Sequence, residues 1–190
     1  MAVSLSAVDY TIKGIVPIIQ HNGQLADPLN PASKAMKSIT SKRKKTDEDF
    51  QALYDAEWMG SLYLNEENRV VIPGQNIEAM MVEGAKKQRL GEQSKAAIIC
   101  DGSWVLAHEG PKDLGKLSAD TRFRDIRKVR IQANSVMRCR PIFPAWSLKF
   151  TLHFLPDLLN KSQVDEILET CGRIVGLCDF TPKYGRFEVV

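Results

Sequence analysis

The sequence predicts an α+β protein with an antiparallel sheet, and three features support this class. Apolar residues make up 44% of the 190 residues and charged residues 26%, as in globular domains. Segments rich in β-branched residues alternate with segments whose apolar residues recur at helical spacing. Residues 145–154 alternate apolar and polar side chains throughout, which indicates a strand with one buried face and one polar face.

The chain begins with a predicted strand over residues 8–19, where β-branched residues dominate. Pro17 has no backbone N–H, which indicates a sheet edge or a bulge near the end of that strand. A loop of turn residues follows, and residues 20–59 are predicted to form a mostly helical insertion before the next strand. Its two helices are expected at residues 31–40 and 47–58.

Short capping signals indicate where the helices begin and end. Thr46 with Asp49 predicts a capping box at the start of the second helix. Ser162 with Asp165 predicts the start of the last helix in the same way. Gly91 is expected to end the helix that precedes it, because glycine is frequent just beyond a helix C-terminus.

The remaining segments alternate between strands and helices, and turn residues separate most neighbouring strands. Two β-α-β passages that share one antiparallel sheet give a ferredoxin-like sandwich with its helices on one face. We therefore expect a single domain over residues 1–190, with the helical insertion inside it. In chain order the segments are strands at 61–64 and 69–72, a helix at 75–88, paired strands at 96–100 and 104–108, a loop at 109–120, strands at 124–132, 135–142 and 145–154, a helix from 162, and a strand at 186–190.

Positive charge is concentrated in two segments of a chain whose net charge is only +3. Residues 34–45 carry six cations and no acid, and residues 122–140 carry seven cations against the single acid Asp125. Such segments predict a face for a polyanion, and we expect the arginines to converge on one continuous track. Arg138 and Arg140 should share a strand face. The candidate nucleic-acid-binding side chains are Arg122, Arg124, Arg127, Arg130, Arg138, Arg140, Lys42, Arg43, Lys44 and Lys45.

Several function classes lack their sequence signatures. No apolar run approaches the roughly 18 residues of a membrane-spanning helix, and the first residues lack the charged segment and apolar core of a signal peptide. The four cysteines and three histidines do not have zinc-site spacing, so we expect no metal and no cofactor. The motifs of serine hydrolases, zinc proteases, P-loop proteins and dinucleotide-binding folds do not occur. We therefore expect a cytoplasmic protein that is not an enzyme.

One polar loop leaves a catalytic alternative open. His21 and Asp27 follow the first strand together, and a nuclease could use such a pair as a general base and a metal ligand. The other interpretation is that the step from Asp27 to Pro28 only shapes a turn. The sequence favours the turn, and a metal-dependent ribonuclease that uses Asp27 remains an alternative function.

Three segments resemble a known family, and a fourth resembles phage proteins. Residues 70–87 have the sequence VVIPGQNIEAMMVEGAKK, which is similar to the I-P-G-S-S-I-K-G strand-to-helix turn of the RAMP superfamily, the backbone subunits of CRISPR effector complexes and their relatives. Residues 171–190 (CGRIVGLCDFTPKYGRFEVV) resemble its glycine-rich ending. Residues 23–31 (GQLADPLNP) lie where many backbone subunits have a G-x-x-D-x-P loop. The R-x-R-P-x-F-x-x-W arrangement at residues 138–146 resembles one in proteins of tailed bacteriophages.

The resemblance implies an RRM-like fold that binds single-stranded RNA or DNA along a basic face, independent of base sequence. It also implies head-to-tail assembly, in which residues 20–59 act as a thumb that contacts the next copy or another effector-complex subunit. The turn at Pro73 and Gly74 would present the first N–H groups of a helix to phosphate. The chain departs from the family at Glu78, where lysine is frequent, and it is shorter than most CRISPR backbone subunits.

These departures favour a phage-encoded relative that works in the host cytoplasm. The leading hypothesis is a sequence-tolerant, single-strand nucleic-acid-binding protein that self-assembles along the strand, with residues 42–45 closing over it. The first alternative is a phage structural or assembly protein that binds no nucleic acid. The second is the ribonuclease, since some backbone subunits cleave RNA with the loop aspartate that Asp27 would match.

Overall fold

The computed structural model describes residues 4–131 and 134–190, which form an α+β protein with antiparallel sheets. Within these ranges no helix is long and apolar enough to cross a membrane. The strands are β1 (Ser6–Gly14), β2 (Ile18–Ile19), β3 (Val71–Pro73), β4 (Ile98–Ile99), β5 (Ser103–His108), β6 (Arg124–Ile131), β7 (Asn134–Phe143), β8 (Trp146–Phe154) and β9 (Phe187–Val189). The helices are α1 (Pro31–Thr40), α2 (Asp47–Ser61), α3 (Gly74–Lys86), α4 (Gly91–Ala97), α5 (Leu114–Ala119) and α6 (Lys161–Thr170).

The chain divides into two compact units, and each is made of segments that are separate in the sequence. Unit 1 comprises the residues up to Ile18 together with Leu64–Glu109 and Pro144–Val190. Unit 2 comprises Ile19–Tyr63 and Gly110–Phe143. The predicted insertion at residues 20–59 is therefore grouped with a second segment of the chain, which contains the basic strands β6 and β7.

Unit 1 contains the larger sheet, in which the strand order is β3-β5-β8-β1-β9 and β4 also pairs with β8. β1 and β8 are antiparallel, so Val8 lies opposite Leu152 and Ile12 lies opposite Leu148. Every second side chain of β8 is buried, as its alternating sequence predicts. Helices α3 and α6 pack against each other and bury one apolar face each, which gives this sheet a helical layer.

Unit 2 combines α1, α2 and α5 with the smaller sheet, whose strand order is β2-β7-β6. Its core is aromatic: Trp58 of α2 is fully buried, and its Nε1 donates a 2.8 Å hydrogen bond to the carbonyl oxygen of Phe123. The rings of Phe123 and Phe143 pack at a tilt, with their centroids 6.0 Å apart. These contacts join the helical insertion to the β6–β7 hairpin, so both are needed to complete one core.

The predicted first residues of the two helices in the insertion are confirmed, and so are the predicted long strands. α1 spans the predicted residues, and α2 begins at Asp47 with both hydrogen bonds of the predicted capping box. Thr46 Oγ1 accepts from the backbone N–H of Asp49, and Asp49 Oδ2 accepts from the backbone N–H of Thr46. β6, β7 and β8 lie close to their predicted ranges. The predicted turn at Ala133 lies outside the described residues.

Several strand predictions are corrected. The first strand is interrupted before Pro17, because β1 ends at Gly14 and a separate short β2 follows. The predicted hairpin at 61–72 is reduced to a single bridge between Leu64 and Val70. β4 and β5, which were expected to pair with each other, both pair with β8 instead. A strand's partner depends on distant residues, and a local turn at residues 101–102 did not decide it.

Several helix predictions are also corrected. Gly91 begins α4 rather than ending the preceding helix, and the predicted loop at 109–120 contains α5. The N-cap of α6 is Asn160, whose side chain accepts from the backbone N–H of Gln163 in a capping box. The predicted cap at Ser162 is therefore wrong by two residues. Both positions have a capping side chain followed by a polar partner three residues later, so the local signal was ambiguous.

Candidate nucleic-acid interface

Positive charge is divided unequally between the two units. Unit 2 contains fifteen lysines and arginines against nine aspartates and glutamates, a formal charge of +6. Unit 1 contains eleven against fourteen, a formal charge of −3. All ten side chains that the sequence nominates for nucleic-acid binding lie in unit 2. The net charge of +3 therefore conceals one basic unit and one acidic unit.

The register of the β6–β7 hairpin decides which arginines can act together. Arg127 lies opposite Arg138, and Asp125 lies opposite Arg140. Opposite residues of an antiparallel pair share a face, and successive residues of a strand alternate. Arg127, Arg138 and Arg140 therefore lie on one face, as predicted for the last two, whereas Arg124 and Arg130 lie on the other. The expected single track of arginines is wrong, because the guanidinium groups occupy two faces of the hairpin.

Two arginines form ion pairs with acids two residues away in the sequence. Arg122 Nη2 lies 2.6 Å from Asp120 Oδ2, and this guanidinium holds the pKa of Asp120 below its usual range. Arg127 pairs in the same way with Asp125. Residues two apart in a strand share a face, so the spacing of Asp125 and Arg127 was a readable sign of this pairing.

Two further arginines are paired with acids of α2. Arg124 Nη2 lies 2.7 Å from Asp55 Oδ1, and the Arg124 side chain is only 10% exposed. Arg138 Nη1 donates a 3.1 Å hydrogen bond to Glu57 Oε1. Glu57 is almost fully buried, and its Oε2 accepts a 2.9 Å hydrogen bond from the backbone N–H of Cys139. Glu57 is 81 residues away from Arg138 in sequence, so the sequence analysis missed both acids.

The exposed cations of the hairpin lie towards the outer part of β6. Lys128 and Arg130 are exposed, and they lie on the same face as Ile126 and Met137, each of which is 47% exposed. Lys128 lies opposite Met137 and was not among the nominated residues, although its alternation with Arg127 marks it as a member of the other face. This face of the hairpin offers apolar surface together with ammonium and guanidinium groups. Outside the hairpin, the Arg122 side chain is paired with Asp120 and is still 73% exposed.

The lysine-rich segment lies between α1 and α2. Lys42 Nζ lies 2.5 Å from Asp49 Oδ1, and Lys45 Nζ donates to the carbonyl oxygen of Lys42. These contacts fold the segment over the capping box at the start of α2, and the Lys42 contact helps hold the pKa of Asp49 below its usual range. Arg43 and Lys44 are exposed. Two of the four nominated side chains of this segment are therefore engaged locally, and two point to solvent.

The strand-to-helix turn in unit 1 does not suit phosphate. Gly74 N–H donates a 2.8 Å hydrogen bond to the carbonyl oxygen of Gly102, so this first N–H of α3 is not available to a ligand. Glu78 and Asp101 line the depression beside the turn, and Glu78 Oε1 accepts from the backbone N–H of Cys100. Two carboxylates at a helix N-terminus oppose the binding of an anion. The expectation of a phosphate site at this turn is wrong.

The glycines of the C-terminal segment permit a close approach of backbone to backbone. Gly176 and Gly185 have φ values of +86° and +73°, a conformation that favours glycine. A Cβ atom on Gly185 would lie 2.0 Å from the carbonyl oxygen of Leu177. The Gly185 N–H also donates to the carbonyl oxygen of Pro17, which ties this segment to the residues that follow β1 within unit 1. This segment therefore packs against the N-terminal part of unit 1.

The polar loop after β2 has the geometry of a turn. Asp27 is exposed, and its Oδ1 accepts a 2.9 Å hydrogen bond from the backbone N–H of Leu29. This bond shapes the approach to Asn30, which caps α1. Among the described residues, no three histidine, cysteine, aspartate or glutamate side chains are placed to hold a metal ion. The geometry favours a structural interpretation of Asp27.

The four cysteines are reduced, and burial raises the pKa of each thiol. The pKa rises to about 11 for Cys100 and Cys139 and to about 12 for Cys171 and Cys178. Thiols with such values are protonated at neutral pH and react slowly. Cys100, Cys139 and Cys171 are buried and act as apolar core groups, whereas Cys178 is half-buried and accepts a hydrogen bond from Asn76 Nδ2.

No protein-family model matches the chain, and a search of the curated proteins finds no match either. The RAMP resemblance therefore stays a hypothesis. The features of the chain that bear on its function are the charges, faces and contacts of unit 2.

Proposed function

We propose that the chain binds the sugar–phosphate backbone of single-stranded RNA or DNA, without regard to base sequence, through the basic surface of unit 2. The observation that supports this most is the partition of charge: unit 2 carries +6 and unit 1 carries −3. A polyanion is attracted to the basic unit and repelled by the acidic one, so the charges orient it as well as bind it.

The ion pairs reduce the number of cations that can bind phosphate. An arginine already bound to a carboxylate contributes little net attraction to phosphate, so Arg124, Arg127 and Arg138 are left out of the proposed contacts. Arg124 and Arg138 instead join the hairpin to α2. The phosphate contacts are assigned to exposed cations on the hairpin and on the lysine-rich segment. These are Arg43, Lys44, Lys128 and Arg130.

The ferredoxin-like or RRM-like fold belongs to the same proposal. In unit 1 the strands β5-β8-β1-β9 are neighbours in that order, and α6 connects β8 to β9 across β1. A ferredoxin-like sheet has the order 2-3-1-4, and this arrangement corresponds to it if β1, β5, β8 and β9 are its four strands. β3 then extends the sheet at one edge, and unit 2 is formed from two excursions of the chain.

Self-assembly along the strand also belongs to the proposal, and it is supported by the resemblance. Opposite formal charges on the two units are compatible with head-to-tail contacts, in which unit 2 of one copy meets unit 1 of the next. The competing possibility is an assembly protein that binds no nucleic acid, and the extensive pairing of the arginines is the observation that favours it. Whether assembly requires a nucleic acid distinguishes the nucleic-acid-binding protein from the assembly protein.

The test is a salt titration of binding to fluorescent oligouridine and oligothymidine, measured by anisotropy. About four contacts to a single strand give a slope of about −3 in log affinity against log salt, since each contributes about 0.7. Affinity should then fall about fiftyfold between 50 and 200 mM salt. In the double variant Lys128→Gln/Arg130→Gln, the slope should become shallower by about 1.4.

A matched control removes the same charge from unit 1. Lys95 and Arg173 are exposed there, so Lys95→Gln/Arg173→Gln should leave both the affinity and the slope unchanged. Equal losses in the two double variants would overturn the assignment to unit 2, and absence of binding by the wild-type protein at low salt would overturn the function. Oligomers that persist after nuclease treatment and at high salt would favour the assembly protein.

A further inference from the structure

An open depression of about 570 Å³ lies within unit 2, between α2, the end of α5 and the start of β6. Its volume falls within the range of about 300 to 1,000 Å³ that is usual for small-molecule sites. Its lining includes Gln51 and Asp55 of α2, Ser118 of α5, and Arg124 and Ile126 of β6. The depression therefore adjoins the hairpin face that carries Lys128 and Arg130.

Most donors around this depression are already used by the protein itself. Gln51 Nε2 donates to Asp55 Oδ1 at 3.0 Å, and Ser118 Oγ donates to the carbonyl oxygen of Gly115. Arg124 Nη1 donates to the carbonyl oxygen of Ser118, and Arg124 Nη2 lies 2.7 Å from Asp55 Oδ1. What these groups still present to a ligand are acceptor oxygens, chiefly the carboxylate of Asp55, whose side chain is 52% exposed.

This chemistry selects the kind of ligand. A phosphate offers acceptors and negative charge, so a half-exposed carboxylate rejects it. A nucleobase offers flat apolar faces and an edge with N–H donors, which suit Ile126 and Asp55 respectively. Guanine presents its N1–H and N2–H groups side by side, and both can be directed at Asp55 Oδ2, since Gln51 and Arg124 contact Oδ1.

Placement on the hairpin supports the same conclusion. Ile126 and Lys128 are two residues apart in β6, and Arg130 follows after the same interval, so all three share one face. A base at Ile126 would leave its own backbone running along the two cations. We propose that the depression binds one base of the nucleic-acid strand, with a preference for guanine set by Asp55. This inference rests on the proposed function of unit 2.

The test compares oligouridine of about ten nucleotides with versions that carry one central guanosine, inosine or adenosine. With two N–H donors directed at Asp55 Oδ2, the guanosine version should bind about tenfold more tightly than the adenosine version. Inosine, which lacks the 2-amino group, should fall between them. Asp55→Asn places an N–H group where the carboxylate accepted and removes the negative charge beside Arg124, so this variant should lose the preference without weakening the binding of plain oligouridine. Ala119→Trp, which fills the depression from an exposed position, should have the same effect.

Calorimetry with guanosine and adenosine monophosphates separates this inference from the general one. Binding of oligouridine with no difference between the four oligonucleotides overturns the guanine pocket and leaves the proposed function standing. Binding of guanosine monophosphate without binding of any oligonucleotide overturns the proposed function and supports the pocket. A guanine preference that survives both substitutions places the base elsewhere and overturns the pocket. If the protein binds neither the oligonucleotides nor guanosine monophosphate, both proposals are overturned.

Discussion

The buried carboxylate of Glu57 should be among the largest single polar contributions to the stability of unit 2. It accepts from Arg138 Nη1 at 3.1 Å and from the backbone N–H of Cys139 at 2.9 Å, and its side chain is 3% exposed. Removing one partner of a buried ion pair costs about 3 to 5 kcal/mol. The Arg138 side chain is 29% exposed and can regain water, so we expect Glu57→Ala to cost about 3 kcal/mol, at the lower end of that range.

Urea denaturation of a short series of variants tests this value. Glu57→Gln keeps an acceptor for Cys139 and loses only the charge, so it should cost about half as much as Glu57→Ala. A double-mutant cycle with Arg138→Met should give a coupling energy of about 1 to 2 kcal/mol. The exposed Glu66→Ala serves as a control and should change stability by less than about 0.5 kcal/mol. A loss below about 1 kcal/mol in Glu57→Ala would refute the reasoning.

Three further predictions concern a cap, a close approach and the thiols. Thr46→Ala removes the acceptor for Asp49 N–H and should cost about 1 kcal/mol in urea denaturation, with no loss for Thr40→Ala at the exposed end of α1. Gly74→Ala places a Cβ 1.5 Å from the carbonyl oxygen of Cys100 and should cost at least about 2 kcal/mol, seen as a lower melting temperature. Raised thiol pKa values mean that the unfolded chain loses these protons first as pH rises above about 9, so stability should fall by about 1 kcal/mol per cysteine between pH 8 and 10. A flat denaturation midpoint over that interval would contradict the burial of Cys100, Cys139, Cys171 and Cys178.

Features fixed by neighbouring residues were predictable from the sequence, and features fixed by distant partners were not. The box at Thr46 and Asp49 and the alternation of β8 are local, and both are confirmed. The pairing of β4 with β8 and the position of Glu57 beneath Arg138 depend on residues far along the chain. The class of the fold was therefore within reach, whereas the strand partners were not.

The candidate site shows the same limit in its charges. Counting cations located the basic unit, because all the nominated residues lie in unit 2. Counting could not show that Asp55 and Glu57 of a distant helix reach Arg124 and Arg138. The number of cations in a sequence segment is therefore an upper bound on the number that a ligand can contact, since each ion pair engages one of them.

Because unit 2 is formed from two excursions of the chain, its order of assembly during synthesis is constrained. The indole of Trp58 finds its hydrogen-bond acceptor at Phe123, and the carboxylate of Glu57 finds its donors at Arg138 and Cys139. In a nascent chain that ends before Gly110, the indole of Trp58 and the carboxylate of Glu57 on α2 still lack their hydrogen-bonding partners. Glu57 and Cys139 lie 82 residues apart in the sequence, so α2 is made long before its packing partner and leaves an aggregation-prone surface on the incomplete chain.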